Sequence, residues 1–356
     1  MKKQTQNQTV IGIELGDKKH LICVTGKGAE ILKEYELANR RQDLERLAKE
    51  YPKARVALEV GTHSPWISRL LQKAGLEVWV ANPRKVRAIY ENTRKCDRLD
   101  ARMLAKIARL DPELLAPVRH GSEQSQTDLL PIKLRDTLVR QHVAIISSIR
   151  ACLKALGLRL EAASSSSFVR KAQEALQQER PDLLGLVAPA LSALEALNTQ
   201  IKLLEQAISQ TARSYAPVQK LQQIGGVGPL TALAYVLFIE DPGRFANPRD
   251  VGAYLGLVPR RDQSGGSDKQ LPISKAGNRY LRCLLVQCAQ YVLGRFGPDC
   301  DLRRHGLRLA ARGGRAAKKK AVIAVARKLA VLMLTLWRKD CGYQPLWAER
   351  PAPQAA

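Results

Sequence analysis

A serine placed after two arginines and before two glycines is the residue of this chain best suited to act as a nucleophile. Ser264 follows Arg260 and Arg261 and precedes Gly265 and Gly266. Arginine binds phosphate oxygens through two parallel hydrogen bonds, and glycine lets a backbone approach a ligand closely. A small hydroxyl in such a flexible, basic loop suits attack on a phosphodiester. The alternative interpretation of these residues is a polar surface turn.

More cations follow this serine. Lys275, Arg279 and Arg282 open the next predicted helix, and the two arginines share a face because they lie three positions apart. A helix N-terminus favours anions. We expect these three residues, together with Arg260 and Arg261, to bind nucleic-acid phosphates.

Two nearby hydroxyls are weaker nucleophile candidates. Ser267 lies beside Asp268, whose charge repels an incoming phosphate. Ser274 precedes the predicted helix, where capping of the helix explains it better. Ser264 therefore remains the expected nucleophile.

Four carboxylates form a second candidate centre. Glu14 and Glu59 each end a predicted strand, and Asp97 and Asp100 lie three apart at a helix start, on one side of the helix. Carboxylates gathered in one place repel each other unless a divalent metal neutralises them, and oxygen ligands suit Mg²⁺. Two such ions about 4 Å apart clamp the attacking and leaving oxygens of a phosphate. The alternative for the two aspartates is an N-cap with a first-turn acid.

The elements that must position these acids alternate between strands and helices. Strands are predicted at 10–16, 21–25, 31–37, 55–60 and 77–81, and helices at 41–50, 66–74 and 103–110. A meander followed by such alternation indicates an α/β domain, in which sites form at strand ends.

A long helical stretch separates the acids from the serine. Basic helical sequence covers 134–160, a loop is predicted at Ser164–Ser167, and a second helix is predicted at 183–212. The second helix carries an apolar stripe at spacings of three and four, formed by Leu194, Leu197, Ile201, Leu204 and Ile208. The stripe fits either packing within its own domain or a coiled coil between protomers.

Two further features favour phosphate binding. The turn Ile224-Gly225-Gly226-Val227-Gly228 resembles a helix-hairpin-helix, whose amides hold phosphate, although a tight helix–helix turn explains it equally. The segment from Arg303 to Lys339 has twelve Lys or Arg and no Asp or Glu. Lys318, Lys319 and Lys320 are its densest group, and we expect them to bind nucleic acid.

The amino-acid composition limits which classes of partner the protein is expected to bind. The 356 residues carry a formal net charge of +25, which favours a polyanion, above all nucleic acid. No stretch approaches the roughly 20 apolar residues of a membrane span, and the polar N-terminus has no signal-peptide core. Seven scattered cysteines without a C-x-x-C pair and five histidines without ligand spacing indicate neither a zinc site nor disulfides, which fits a reducing cytoplasm.

Taken together, these motifs resemble the DEDD transposases of the insertion-sequence-one-hundred-and-ten family, the bridge-RNA-guided recombinases that include pilin-gene invertases. The resemblance runs from Ile11 to about Gly342. Its matching pieces are Ile11–Glu14, Leu58–Thr62, Asp97–Arg102, Ile224–Gly228, Gly256–Arg261 with Ser264-Gly265, and Ser274–Asn278 followed by Tyr280–Arg282.

The resemblance implies residue roles and a domain plan. The family's four acids fall on Glu14, Glu59, Asp97 and Asp100, which would bind Mg²⁺, and its nucleophile falls on Ser264. Glu14 departs from the family, which usually has aspartate there. The implied domains are a RuvC-like (RNase H-like) α/β domain at 1–160, a helical coiled-coil linker at 161–214, a mainly α transposase domain at 215–343 and a disordered tail at 344–356.

The implied activity is recombination of DNA. The protein would excise and insert an insertion sequence, using a noncoding guide RNA to pair with target and donor DNA, through a phosphoserine link to DNA. Dimers would join as a tetramer, with acids of one protomer meeting the serine of another. Two alternatives remain: a RuvC-like metal nuclease in which water attacks, and a non-catalytic nucleic-acid-binding protein.

Overall fold

The computed structural model describes residues 8–86, 96–264 and 266–347. Contacts divide the chain into two compact units, Met1–Glu123 and Gln124–Ala356. The sequence predicts that the first domain ends at residue 160, whereas the contacts place the boundary earlier. The reason is that the helix spanning 130–155 packs along the helix spanning 181–213, so both belong to the second unit.

A five-stranded sheet forms the centre of the first unit. Its strands are β1 (Val10–Glu14), β2 (Lys19–Thr25), β3 (Ile31–Ala38), β4 (Arg55–Glu59) and β5 (Glu77–Ala81), in the order β3-β2-β1-β4-β5. β1, β2 and β3 pair antiparallel, while β4 pairs parallel with both β1 and β5. This order and these directions are those of an RNase H-like fold, so the predicted N-terminal α/β domain is confirmed.

Helices cover both faces of the sheet. They are α1 (Arg41–Glu50), α2 (Ser64–Lys73) and α3 (Asp97–Leu110). Successive strand residues point to opposite faces. Ile13 of β1 therefore packs with Leu44 of α1 on one face. Val10 of β1 and Ala57 of β4 point to the other face and pack with Leu104 of α3.

Three long helices begin the second unit. After the short α4 (Glu123–Asp128) come α5 (Leu130–Ala155), α6 (Phe168–Glu179) and α7 (Pro181–Arg213). α7 packs against α5 and α6. In its apolar stripe, Leu194 and Ile208 are buried and the other three residues are half-buried within the protomer. Packing inside one chain thus accounts for the stripe, and a coiled-coil linker stays a prediction.

The rest of the second unit is mainly helical. Its elements are α8 (Ala216–Leu221), α9 (Pro229–Ile239), α10 (Asp250–Tyr254), β6 (Pro259–Ser264), β7 (Ser267–Ile273), α11 (Arg279–Leu293), α12 (Asp301–Ala310) and α13 (Gly314–Lys339). α9 is apolar on all sides because it runs through the core. Its fully buried Tyr235 donates its hydroxyl proton to the Ala330 carbonyl of α13, at 2.7 Å.

Membrane spans, cysteine pairing and the C-terminal tail are three further features that the sequence analysis addresses. In the described residues, no helix is both long enough and apolar enough to cross a membrane. The seven cysteines, all in described positions, are free thiols. Residues 348–356 of the predicted tail lie outside the described residues, and Pro345 still packs, since its carbonyl accepts from the Asp301 amide at 2.9 Å.

Candidate active site

The two glutamates lie side by side at the carboxyl ends of two adjacent strands in the middle of the sheet. Ile13 of β1 is in register with Leu58 of the parallel strand β4, and Glu14 and Glu59 are the next residue on each strand. In a parallel pair, residues in register point to the same face. The face is the one opposite to Ile13, which is the face that α3 covers.

α3 lies across this face with its first turn towards the glutamates. At its other end, Arg109 Nη2 donates to the Thr25 carbonyl at 3.2 Å, and Arg55 Nη1 donates to the Ala108 carbonyl at 3.0 Å. Thr25 and Arg55 are the register partners of Val10, where β1 begins. The start of α3, with Asp97 and Asp100, therefore lies towards the end of β1.

The helix lies close to the strand because β1 has a glycine beneath it. A Cβ at Gly12 would lie 1.9 Å from the Ala101 carbonyl oxygen. Ala101 comes one residue after Asp100, and Gly12 comes two residues before Glu14. The absence of a side chain at position 12 therefore brings the first turn of α3 against the strand end that carries the glutamate.

The four carboxylates share an edge without forming a finished ligand cluster. Asp97 is exposed, while Glu14, Glu59 and Asp100 are half-buried. Within the described ranges, no three His, Cys, Asp or Glu side chains come close enough together to hold a metal ion. The donor set suits a hard divalent cation, and binding would require the side chains to turn towards one another. A metal site at Glu14, Glu59, Asp97 and Asp100 stays a prediction.

The capping alternative for the two aspartates is only partly met. The N-cap of α3 is Cys96, without a side-chain capping hydrogen bond. Asp97 is instead the first helical residue, and both aspartates lie in the first turn, where the helix dipole favours a negative charge. The dipole explains why acids are tolerated there but does not explain the glutamates beside them.

Sequence reasoning missed a histidine near the same strand ends. His63 Nε2 is 3.1 Å from Asp17 Oδ1, and Trp66 Nε1 donates to His63 Nδ1 at 3.3 Å. Asp17 follows Glu14 by three residues and His63 follows Glu59 by four. The available signal was therefore the position of both residues shortly after an acid-ending strand, rather than any spacing among the histidines.

The serine segment is a β-hairpin rather than the flexible loop that the sequence suggests. β6 and β7 pair antiparallel, with Ser264 opposite Ser267. In the sequence Gly265 and Gly266 stand between these two serines, and glycine is favoured in two-residue hairpin connections. The Ser264 backbone ends β6 at the hairpin tip, whereas its side chain and Gly265 lie outside the part of the chain that the structure describes.

One hairpin arginine is already paired. Arg261 donates from Nε and Nη2 to the two carboxylate oxygens of Asp268 on the facing strand, at 2.7 and 2.6 Å. The pairing raises the pKa of Arg261 and lowers the pKa of Asp268. The negative charge of Asp268, which was expected to repel phosphate beside Ser267, is thus neutralised by Arg261. Arg260 is exposed.

Arg282 does not match the expectation of a phosphate-binding cation. Its residue is only 9 % exposed, and Nη1 donates to the Leu255 carbonyl at 2.9 Å and to the Ala276 carbonyl at 2.7 Å. A guanidinium used in this way holds the loop before α11 against α10. Lys275 and Arg279 are exposed, as expected.

The cap of α11 also differs from the expectation. The side chain of Asn278 accepts from the Leu281 amide at 2.9 Å. Ser274 lies earlier, and its Oγ accepts a weaker bond from the Ala276 amide at 3.4 Å. Asparagine is among the strongest N-cap residues, so Asn278, not Ser274, begins the helix.

The basic segment from Arg303 to Lys339 contains cations bonded to other parts of the chain and a group of exposed lysines. Arg303 Nη1 donates to the Val292 carbonyl at 2.6 Å, Arg304 forms a bidentate pair with Asp299, and Arg338 Nη1 donates to the Phe245 carbonyl at 3.0 Å. By contrast, Lys318, Lys319 and Lys320 are exposed along the second turn of α13. These lysines remain the candidates for phosphate contact.

The glycine-rich turn joins α8 to α9. Gly226 has φ +88°, and a Cβ there would lie 2.6 Å from the Tyr291 ring. Glycine is therefore required by both the backbone conformation and the packing. Helix–turn–helix geometry is present, and phosphate binding at this turn stays a prediction.

Family models match both units of the chain. A model described as Transposase IS116/IS110/IS902 family matches residues 218–304, and a model of DEDD transposases of the IS110 kind matches residues 11–157. The first match contains the hairpin of Ser264, and the second contains all four acids.

Whole-length relatives carry the same description. A transposase for insertion sequence element IS1111A of Coxiella burnetii is 30% identical over 280 residues, covering 78% of this chain and 75% of that protein. A probable family 20 transposase of Pseudomonas aeruginosa is 27% identical over 310 residues, covering 86% and 90%. A transposase for insertion sequence element IS1328 of Yersinia enterocolitica is 28% identical over 291 residues, covering 81% and 85%.

Proposed function

The chain belongs to the IS116/IS110/IS902 family of transposases and is a DNA transposase, and we propose that it excises and inserts an insertion sequence through attack by Ser264. The observation that carries this proposal is the meeting of the β1 and β4 ends beneath the first turn of α3. That arrangement supports a site in which Glu14 and Glu59 of the strands act together with Asp97 and Asp100 of the helix.

The acidic edge would hold the divalent metal. Glu14, Glu59, Asp97 and Asp100 supply oxygen donors, which Mg²⁺ prefers. A metal held by these residues would stabilise the charge that develops on a phosphate under attack.

The hairpin would supply the nucleophile. Ser264 Oγ forms a bond to phosphorus as the bond from phosphorus to one deoxyribose oxygen breaks. The serine hydroxyl loses its proton, and the departing deoxyribose oxygen gains one and becomes a free hydroxyl. Attack by a hydroxyl of a second strand reverses these changes, joins the new strands and releases the serine. The position of Ser264 at a glycine turn supports this role, because no bulky side chain follows it.

The nucleic-acid partners would be double-stranded target and donor DNA and a noncoding guide RNA that pairs with both. The net charge of +25 and the exposed lysines of α13 support a polyanionic partner of this size. We also propose that dimers join as a tetramer, in which acids of one protomer act with the serine of another.

Trapping of a covalent adduct tests the serine. Wild-type protein is incubated with element-end DNA and Mg²⁺, and the products are separated on a denaturing gel. We expect an adduct in wild type, none in Ser264→Ala, and an adduct in the matched control Ser267→Ala. Cleavage without any adduct would identify a nuclease in which water attacks, and binding without cleavage would identify a non-catalytic binding protein.

Mixing of two inactive variants tests the shared site. Asp97→Asn lacks an acid and Ser264→Ala lacks the nucleophile. If the acids and serine act from different protomers, the mixture regains part of the activity that each variant lacks alone. A mixture as inactive as its components would contradict the shared arrangement while leaving the serine assignment to the adduct test.

A further inference from the structure

The second unit contains a large, mostly apolar cavity that the proposed chemistry does not use. Its volume is about 1170 Å³, above the roughly 300–1,000 Å³ typical of small-molecule pockets. Its lining includes aliphatic side chains, among them Leu257 before β6, Ile273 of β7, and Ile323 and Leu332 of α13. A cavity of this size has room for more than one planar ring.

Aromatic rings line one side of the cavity. Tyr343 and Trp347 come from the segment after α13, and His305 comes from α12. Trp347 is 62% exposed. Burial, then repulsion from Lys328 and Arg308, lowers the pKa of His305. The imidazole is therefore neutral at pH 7 and adds to the apolar lining.

The rim of the cavity is cationic. Lys319, Lys320, Arg327 and Lys328 of α13 are exposed and line it, and they outnumber the Asp301 carboxylate, which also belongs to the lining. An apolar floor with aromatic edges and a basic rim matches the two parts of an unpaired nucleotide, because bases stack on aromatic rings while cations contact the backbone. A duplex keeps its bases stacked inside and presents only phosphates to such a surface.

The cavity lies beside the hairpin of the proposed nucleophile. Pro259 and Ile273, which pair at the base of the hairpin, both line it. Ser264 lies five residues further along β6, which is about 17 Å at about 3.4 Å per residue. A stacked strand covers that distance in about five nucleotides at about 3.4 Å each. The strand nearest to the cavity is therefore the DNA that Ser264 would attack.

We propose that this cavity binds unpaired bases of the DNA strand about five nucleotides from the phosphate that Ser264 attacks. The position along the strand rests on the proposed function, whereas binding of single-stranded DNA does not. Capture of these bases would hold the cut strand open for exchange.

Fluorescence binding with a single-stranded oligodeoxynucleotide tests the cavity. The probe carries one fluorescent adenine analogue, and the protein is full-length Ser264→Ala, so that no adduct contributes. Added to the Ser264→Ala protein, Trp347→Ala should weaken binding of the probe by roughly 5- to 140-fold. This range is equivalent to about 1–3 kcal/mol of stacking per base. Trp347→Phe should restore most of the affinity and the quenching of the analogue.

Two matched variants sharpen the test. Phe296→Ala removes an aromatic ring of the same unit that is 69% exposed and lies outside the cavity lining, so it should leave affinity unchanged. Ala324 lines the cavity, so Ala324→Trp fills part of it with an indole. This variant should weaken binding of the single strand as much as Trp347→Ala does.

Three results would overturn the proposal. The first is unchanged single-strand affinity in both Trp347→Ala and Ala324→Trp, and the second is an equal loss of affinity for duplex DNA of the same sequence. The third is an equal or larger loss of affinity for single-stranded RNA, which would assign the cavity to RNA. Loss of single-strand binding together with no adduct in the wild-type protein would overturn the role of Ser264 and still support the cavity.

Discussion

Gly12 of β1 lies directly beneath Ala101 of α3. A Cβ on Gly12 would come within 1.9 Å of the Ala101 carbonyl oxygen and 2.8 Å of the Ala105 amide nitrogen, closer than real Cβ atoms come. Both atoms belong to helical backbone, which cannot move without moving the helix. The spacing between the glutamates of the sheet and the aspartates of α3 therefore depends on a residue that has no side chain.

Gly12→Ala should displace α3 and reduce both stability and activity. Overpacking of this kind costs about 1–3 kcal/mol, which urea denaturation would measure. Strand exchange should fall further than stability explains, because Asp97 and Asp100 move with the helix. Gly61→Ala is the matched control, since a Cβ there meets nothing within 4 Å. A Gly12→Ala protein with normal activity would show that the position of α3 does not matter.

Replacement of single acids should separate metal binding from folding. Asp97→Asn and Asp100→Asn should abolish strand exchange and weaken Mg²⁺ binding by calorimetry, with unchanged thermal unfolding. Asp111→Asn is the control, because Asp111 lies at the opposite end of α3, where its side chain accepts from the Glu113 amide. Normal metal binding in both aspartate variants would remove α3 from the site.

Glu14→Asp tests the departure from the family's usual aspartate. The shorter side chain should preserve or raise activity, because it restores the residue type that the family uses. Strand-exchange rates at saturating Mg²⁺ give the comparison. A clear loss would mean that the site has adapted to the longer glutamate.

The sheet and its acids were predictable because local signals determine them. An alternating segment followed by Asn gave β3 and a short apolar run followed by Asn and Pro gave β5, both to within one residue. Once β1 and β4 are known to be parallel neighbours, Glu14 and Glu59 must share an edge. The direction of the side chains on that edge depends on packing and was not predictable.

The hairpin and Arg282 were not predictable for a different reason. β6 and β7 are polar, and the cross-strand pair of Arg261 with Asp268 that joins them gives no apolar alternation in the sequence. Arg282 looks like any basic residue at a helix start. Its carbonyl partners, Leu255 and Ala276, lie 27 and 6 residues away and become visible only in three dimensions.

Arg282 and Arg279 should therefore respond differently to substitution, although both begin α11. Arg282→Met orphans two carbonyls, at a cost of about 1–3 kcal/mol for each buried group left without a partner, so unfolding in urea should occur at a lower concentration. Arg279→Met changes an exposed cation and should weaken DNA binding with little effect on stability. Equal stability of the two variants would show that the buried hydrogen bonds of Arg282 contribute little.

The pair of Arg102 and Glu34 should make stability depend on acid pH. Arg102 Nη2 donates to Glu34 Oε2 at 2.6 Å, and this bond, more than other charges, lowers the pKa of Glu34 below 4.5. A lowered pKa gives stability that is present above the unfolded value and is lost as the pH falls through the folded value. The stability difference between wild type and Arg102→Met should thus be largest above pH 4.5 and shrink below it. Urea titrations across this range measure it, and a difference that stays constant with pH would contradict the pairing.

The exposed lysines of α13 should set the salt dependence of DNA binding. Each phosphate contact contributes a slope of about 0.9 in log affinity against log salt, so Lys318→Ala with Lys319→Ala should lower the slope by about 1.8. The loss should be similar for all DNA sequences, because phosphate contacts do not read bases. Arg304→Ala with Arg338→Ala is the charge-matched control, since these arginines bind Asp299 and the Phe245 carbonyl. Filter binding over a range of salt gives both slopes. Equal slopes for wild type and the lysine variant would make this part of α13 an ordinary solvated surface.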